Sequence, residues 1–162
     1  MKEIKHDIII VEYDSIEELN PAEKKLILRS KEVVKDAYAP YSDFQVGAAV
    51  LFDNGEIITG TNQENAVYPL GLCAERVALF YSNSKFPDIP VKAIAIAAYT
   101  KGEYVKKPIS PCGSCRQVMI ETQTRYKSSL KIYLVGNKKI QVIENAETLL
   151  PLHFDDHFLK LT

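Results

Sequence analysis

All three cysteines of this 162-residue chain fall in two short stretches, LCAERVAL (residues 72–79) and SPCGSCRQV (residues 110–118). Each stretch stands where an extended pattern gives way to a helical one, and the spacing predicts helices over about 73–81 and 113–122. A fold that uses these thiols together must bring two helix N-termini face to face. A helix N-terminus carries roughly half a positive charge and unsatisfied N–H groups, which lower a cysteine pKa and supply thiolate near neutral pH. Cys112 and Cys115, three apart on a first turn, lie on one side of their helix and can reach one ion.

The remaining pattern supplies strands to set between helices. Asn20-Pro21-Ala22-Glu23 reads as a helix start, with Asn20 as cap, Pro21 at the first position and Glu23 completing a capping box. Leu26, Ile27, Val33, Val34 and Ala37 give that helix a buried face before Pro40 stops it. VGAAVLFDNGEIITG predicts two strands joined at Asn54-Gly55. Further strands are expected at 91–98, in LKIYLVG and in KIQVI, with a short helix near 144–150. Residues 5–13 read as a short strand or an ordered arm. The order αββαβαββ predicts the α/β class, a three-layer α/β/α sandwich around a mixed central sheet. A length of 162 residues with 46% apolar content suits one domain over 1–162, with an N-terminal extension (1–20) and a core (21–154).

Charge narrows the partners. With 20 basic and 21 acidic residues interspersed, the net charge is -1, and no broad positive field exists to attract a phosphate backbone. Nucleic acid is therefore not expected as a partner. The apolar run at 8–11 is too short for a signal peptide or a membrane span, so a cytoplasmic protein with no membrane partner is expected. Three cysteines without a secretion signal argue against a disulfide framework.

Three thiolates suit a zinc ion whose fourth position is left to water, the catalytic rather than the closed structural pattern. Glu75, two residues after Cys73, is close enough to handle protons without serving as a ligand. Three thiolates on Zn²⁺ leave a surplus negative charge, and Arg76 and Arg116, each beside a ligand-bearing segment, are expected to donate to the sulfurs. Two other readings fit the cysteines alone. PCGSC before a helix is also a redox dithiol pattern, and His153 or His157 as a fourth ligand would make the zinc structural.

YAPYSDFQVGAAV, GTNQENAVY, CAERVALF, SPCGSCRQV and LLPLHF, in this order and spacing, resemble the small zinc-dependent cytidine deaminases that assemble as homotetramers. The resemblance covers roughly residues 22–154. It implies a cytidine deaminase-like fold, one Zn²⁺ per subunit on Cys73, Cys112 and Cys115, and Glu75 as proton shuttle in hydrolytic deamination of cytidine and 2′-deoxycytidine. It implies pyrimidine salvage as the role and a small pyrimidine nucleoside as the substrate. Backbone groups at Ala74 and Pro111 would hold the base, Asn62 and Glu64 the ribose 3′-hydroxyl. Phe44 would contact the nucleoside, Phe154 would stack on the pyrimidine of a neighbouring subunit, and Tyr68 would lie near that boundary.

A carboxylate at Glu64 would accept a sugar hydroxyl and repel a phosphate near it, which favours a free nucleoside. The NQEN run favours an ordinary nucleoside over an aminocytosine antibiotic such as blasticidin S. Relatives acting on nucleotides or tRNA usually place His where Cys73 stands. The chain departs from the family pattern in its first 20 residues, in YPLGL before Cys73, and in the longer segment YTKGEYVKKPIS before Cys112.

Overall fold

The structure is a computed structural model that describes residues 1–159. A seven-stranded mixed sheet runs in the order β1-β7-β6-β4-β2-β3, with the short β5 paired to β4. The strands are β1 (Val11–Tyr13), β2 (Phe44–Phe52), β3 (Ile57–Thr61), β4 (Val91–Thr100), β5 (Glu103–Tyr104), β6 (Lys131–Val135) and β7 (Ile140–Ile143). The helices are α1 (Pro21–Val33), α2 (Ala74–Lys85) and α3 (Gly113–Tyr126). β4 and β6 are parallel and joined through α3; the other pairings are antiparallel. The expected three layers are present.

Period-2 alternation in β4 explains which helix lies where. Ala93, Ala95 and Ala97 face α1 with Leu26 and Ile27, while Ile94, Ile96 and Ala98 face α2 and α3 with Ala78, Leu79, Met119 and Ile120. Burying Leu26 or Ile27 completely contributes roughly 1.5–3 kcal/mol each. The small side chains under α1 let that helix approach closely, and a Cβ on Gly47 would stand 2.3 Å from the Ser30 carbonyl oxygen. On the opposite face Gly60 does the same for α2, since a Cβ there would stand 2.6 Å from the Ala78 nitrogen. Two helices therefore sit side by side on one face of the sheet, and their N-termini meet.

Several local expectations are refined. α1 carries the Asn20 cap and the Glu23 capping box, but its regular turns end at Val33 and a 3-10 turn follows over Val34–Asp36. Beyond it the chain is drawn into a bridge with the segment after β3, where Tyr38 N–H donates to the Asn62 carbonyl and Glu64 N–H to the Tyr38 carbonyl. The hairpin turns at Asp53-Asn54-Gly55, with Gly55 at φ 84°. Only Val11–Tyr13 of the 5–13 arm forms a strand, pairing with Ile140–Val142. The longer segment before Cys112 holds an unforeseen hairpin, β4–β5, whose two turn residues Lys101 and Gly102 take φ 52° and 82°. Positive φ at both positions is the type I′ geometry usually marked by Asn-Gly. The expected short helix near 144–150 is a 3-10 turn over Ala146–Leu149. No helix among the described residues is long and apolar enough to cross a membrane.

Candidate metal centre and adjoining pocket

Cys73 is the N-cap of α2 and Cys112 the N-cap of α3, each in extended backbone, and neither sulfur caps its own helix. The sulfurs turn toward each other instead. Cys73 Sγ lies 3.8 Å from Cys112 Sγ, Cys112 Sγ lies 3.4 Å from Cys115 Sγ, and all three are within 4.8 Å of one another. Thiolates about 2.3 Å from a tetrahedral zinc stand about 3.8 Å apart, so this donor set fits the ion. The cluster takes in three thiols and, among the described residues, no histidine or carboxylate. His153 is engaged elsewhere, with Nδ1 2.9 Å from the Leu150 carbonyl oxygen. That counts against the closed structural site.

The electrostatics fit thiolate chemistry. The Cys73 thiol is pulled down to about 5, first by its hydrogen bond with Cys115 and then by Arg76 and Cys112, against the opposing effect of burial. Cys115, the proton-holding partner of that bond and itself buried, is pushed up. Arg76 Nη2 stands 3.9 Å from Cys73 Sγ, as the charge argument anticipated. Glu75, in the first turn of α2, is 4% exposed, and burial pushes its carboxyl above the usual range, with the negative charge of Cys73 adding to the effect.

Arg116 corrects an expectation. Its guanidinium does not donate to the sulfurs: Nε donates to the Pro111 carbonyl at 2.9 Å and Nη1 to the Leu149 carbonyl at 3.0 Å. Both carbonyls belong to buried residues, and Arg116 ties the peptide before Cys112 to the 3-10 turn at Ala146–Leu149. Pro111 is buried at this tie.

A cavity of about 470 Å³ opens beside Cys73, lined among others by Tyr41, Ser42, Asn62, Glu64 and Tyr68. The Gln63–Leu72 bridge holds one wall, with reciprocal backbone hydrogen bonds of 2.9 and 3.0 Å. Asn62 uses its side chain on the backbone of β2: Oδ1 accepts from Val46 N–H at 2.7 Å and Nδ2 donates to the Phe44 carbonyl at 2.9 Å. Glu64 accepts from Tyr41 N–H, Ser42 N–H and the Ser42 hydroxyl; chiefly that hydroxyl holds its pKa below the usual carboxylate range. Tyr68 is exposed and meets Tyr41 edge-on at 5.9 Å.

Phe44 packs half-buried on the core under α2 and α3, and Ala74 is fully buried at the start of α2; neither lines this cavity. Phe154 is exposed and outside the lining too, its ring stacked on Phe158 at 5.6 Å and its carbonyl accepting from Gln117 at 2.6 Å. Tyr41 and Ser42 are lining residues that the sequence reading left unassigned. Their signal was the serine between Tyr41 and Phe44, a residue type that bonds nearby backbone in turns.

Residues 21–128, which include all three cysteines and Glu75, match the family model described as the cytidine and deoxycytidylate deaminase zinc-binding region. The chain belongs to this deaminase family. It is similar to a cytidine deaminase of Halalkalibacterium halodurans, 46% identical over 126 residues that make up 76% of this chain and 88% of that protein. A cytidine deaminase of Sporosarcina psychrophila is 44% identical over 137 residues, 85% of this chain and 94% of its own length. The crystal structure of cytidine deaminase from Burkholderia pseudomallei matches with a TM-score of 0.69 at 42% identity, covering 80% of this chain and 97% of that one. With a family zinc-binding region and a three-thiol donor set of the right spacing, the metal of this deaminase centre is zinc.

Proposed function

We propose that this chain hydrolyses cytidine and 2′-deoxycytidine to uridine and 2′-deoxyuridine with release of ammonia, as a step of pyrimidine salvage in the cytoplasm. The observation that carries the reading is the cluster of Cys73, Cys112 and Cys115 sulfurs at the facing starts of α2 and α3, with the buried carboxyl of Glu75 in the first turn of α2. Zinc held by the sulfurs of Cys73, Cys112 and Cys115 supplies a Lewis acid that makes water nucleophilic near neutral pH. The Glu75 carboxylate takes a proton from the attacking water and delivers it to ring N3. It then carries the second proton to the amino nitrogen, so that a C4–O bond forms, the C4–N bond breaks and ammonia leaves. Proton transfer of this kind contributes typically about 10²–10⁴ in rate. Arg76, beside Cys73 Sγ, offsets part of the thiolate charge.

In this reading Asn62 and Glu64 receive the ribose 3′-hydroxyl, while Phe44, the backbone of Ala74 and the Pro111 carbonyl flank the base. The ionised Glu64 at the pocket wall selects a free nucleoside, because a phosphate placed there would meet a like charge. Phe154 reaches the pyrimidine of a neighbouring copy, with Tyr68 at the same boundary, in a homotetramer. Support comes from large side chains left in water, which packing against a neighbouring copy would bury: Tyr68 is 75%, Leu70 66% and Phe154 57% exposed.

The test is ammonia release from cytidine by zinc-replete protein, followed by the loss of cytidine absorbance. Rapid release with uridine as product is expected. No release from protein with one zinc per chain would overturn the reading.

A further inference from the structure

Polar groups of six residues form one connected chain that runs from the pocket wall to the backbone of β2. Tyr41 N–H donates to Glu64 Oε2 at 2.8 Å, Ser42 N–H to the same oxygen at 3.3 Å, and the Ser42 hydroxyl to Oε1. The Ser42 oxygen in turn accepts from Phe44 N–H at 3.1 Å. The Phe44 carbonyl accepts from Asn62 Nδ2 at 2.9 Å, and Asn62 Oδ1 accepts from Val46 N–H at 2.7 Å. Asp43, between Ser42 and Phe44, sits at φ 53°, a left-handed residue that turns the serine hydroxyl back onto the start of β2. Each member lies where the next one holds it.

The arithmetic of acceptors gives the arrangement a consequence. A carboxylate has about four acceptor sites, and residues 41 and 42 fill three of those on Glu64. One remains for a ligand. Ser42 is the only member of the chain whose side chain joins Glu64 to the backbone of β2, because the other two donors to Glu64 are main-chain amides.

We propose that Ser42 is a positioning residue that fixes the rotation of the Glu64 carboxylate, so that its one free acceptor site takes a single sugar hydroxyl, and that Ser42 thereby sets the preference for nucleosides carrying a free 3′-hydroxyl. This rests on reading the pocket as a nucleoside site. Ser42 touches no reacting atom, so its influence falls on binding rather than on the chemical step. An exposed carboxylate anchor of a surface loop would instead affect every ligand alike.

The experiment compares zinc-loaded wild type, Ser42→Ala and Ser42→Thr. Dissociation constants are measured by calorimetry for uridine and 3′-deoxyuridine, and kcat and KM for cytidine. Ser42→Ala is expected to weaken uridine about tenfold, with the same rise in cytidine KM and kcat within twofold, while 3′-deoxyuridine binding is unchanged. Ser42→Thr, which keeps the hydroxyl, restores uridine binding. Equal weakening of both ligands, a loss confined to kcat, or failure of threonine to restore binding would overturn the proposal. Wild-type turnover of cytidine separates the two failures: where it is present, an unaltered ratio of the two ligands in Ser42→Ala sinks only the role of Ser42. Where it is absent, the nucleoside reading itself falls.

Discussion

α1 and α2 both begin with a glutamate in the first turn, and the two carboxyls are driven in opposite directions. At α1, Glu23 is partly buried, but hydrogen bonds from Tyr133 OH at 2.5 Å and Asn20 N–H at 3.1 Å, with Lys131 at 3.4 Å, hold its pKa below the usual range. At α2, Glu75 is more deeply buried and faces the thiolate of Cys73, so its pKa rises. The caps differ in the same sense. Asn20 Oδ1 accepts from the Ala22 and Glu23 amides, whereas Cys73 and Cys112 leave their helix amides uncapped and turn their sulfurs to a shared point. The third residue of each helix points back at its cap: Glu23 to the Asn20 amide, Arg76 to the Cys73 sulfur, Cys115 to the Cys112 sulfur. One local geometry serves stability at α1 and a metal at α2 and α3. An N-cap Ser, Thr, Asn or Asp is worth about 0.5–2 kcal/mol over a residue that cannot cap, a stabilisation that two of the three helix starts forgo.

The contrast breaks most visibly at Glu75. Glu75→Gln keeps the shape and removes the titrating oxygen, so kcat for cytidine is expected to fall about 10²–10⁴-fold with zinc content unchanged by atomic absorption. A nearly wild-type rate would mean that the raised carboxyl of α2 is as structural as the lowered one of α1. The two arginines give a smaller and sharper test. Arg76→Ala should lower kcat about tenfold while leaving the melting temperature within a degree or so. Arg116→Ala, which frees the carbonyls of the buried Pro111 and Leu149, should lower the melting temperature by several degrees. If both variants lost rate at unchanged stability, Arg116 would be acting on the site, through the sulfurs or the Pro111 carbonyl, rather than on the fold.

What the sequence made legible follows the range of the interactions. The Asn20 cap, the Asn54-Gly55 turn and the two cysteine-led helix starts depend on neighbours within four residues, and each stands where the spacing put it. The three layers could be read as well, because helices interleave with strands along the sequence. Which face of β4 meets which helix emerges only in the fold, with Ala93, Ala95 and Ala97 toward α1 and Ile94 and Ile96 toward α2 and α3. The bond from Arg116 to Leu149 could not be read, since adjacency to Cys115 says nothing about a carbonyl 33 residues further along the chain. The grip of Ser42 on Glu64 spans 22 residues and depends on the Tyr38–Gln63 bridge, which no local pattern announces. The end of α1 was misplaced by the same bridge, which draws the chain out of helix before Pro40.

The smallest expected effect tests the structural half of the comparison. A glutamate in the unfolded chain titrates near 4.5, and the folded Glu23 titrates lower, so its ionised contacts contribute their full stability above about pH 4.5. That contribution is lost as pH falls through the folded value, where the carboxyl of Glu23 takes up a proton in both states. Glu23→Gln cannot ionise and weakens the bonds to Tyr133 and Lys131. At pH 7 it should therefore be less stable than wild type by about 1 kcal/mol, with kcat unchanged, and the gap between the two urea curves should close as pH drops below about 4.5. A gap that stayed constant through the acid range would show that Glu23 holds α1 by shape and amide contacts alone, and the opposition between the two glutamates would then rest on Glu75 only.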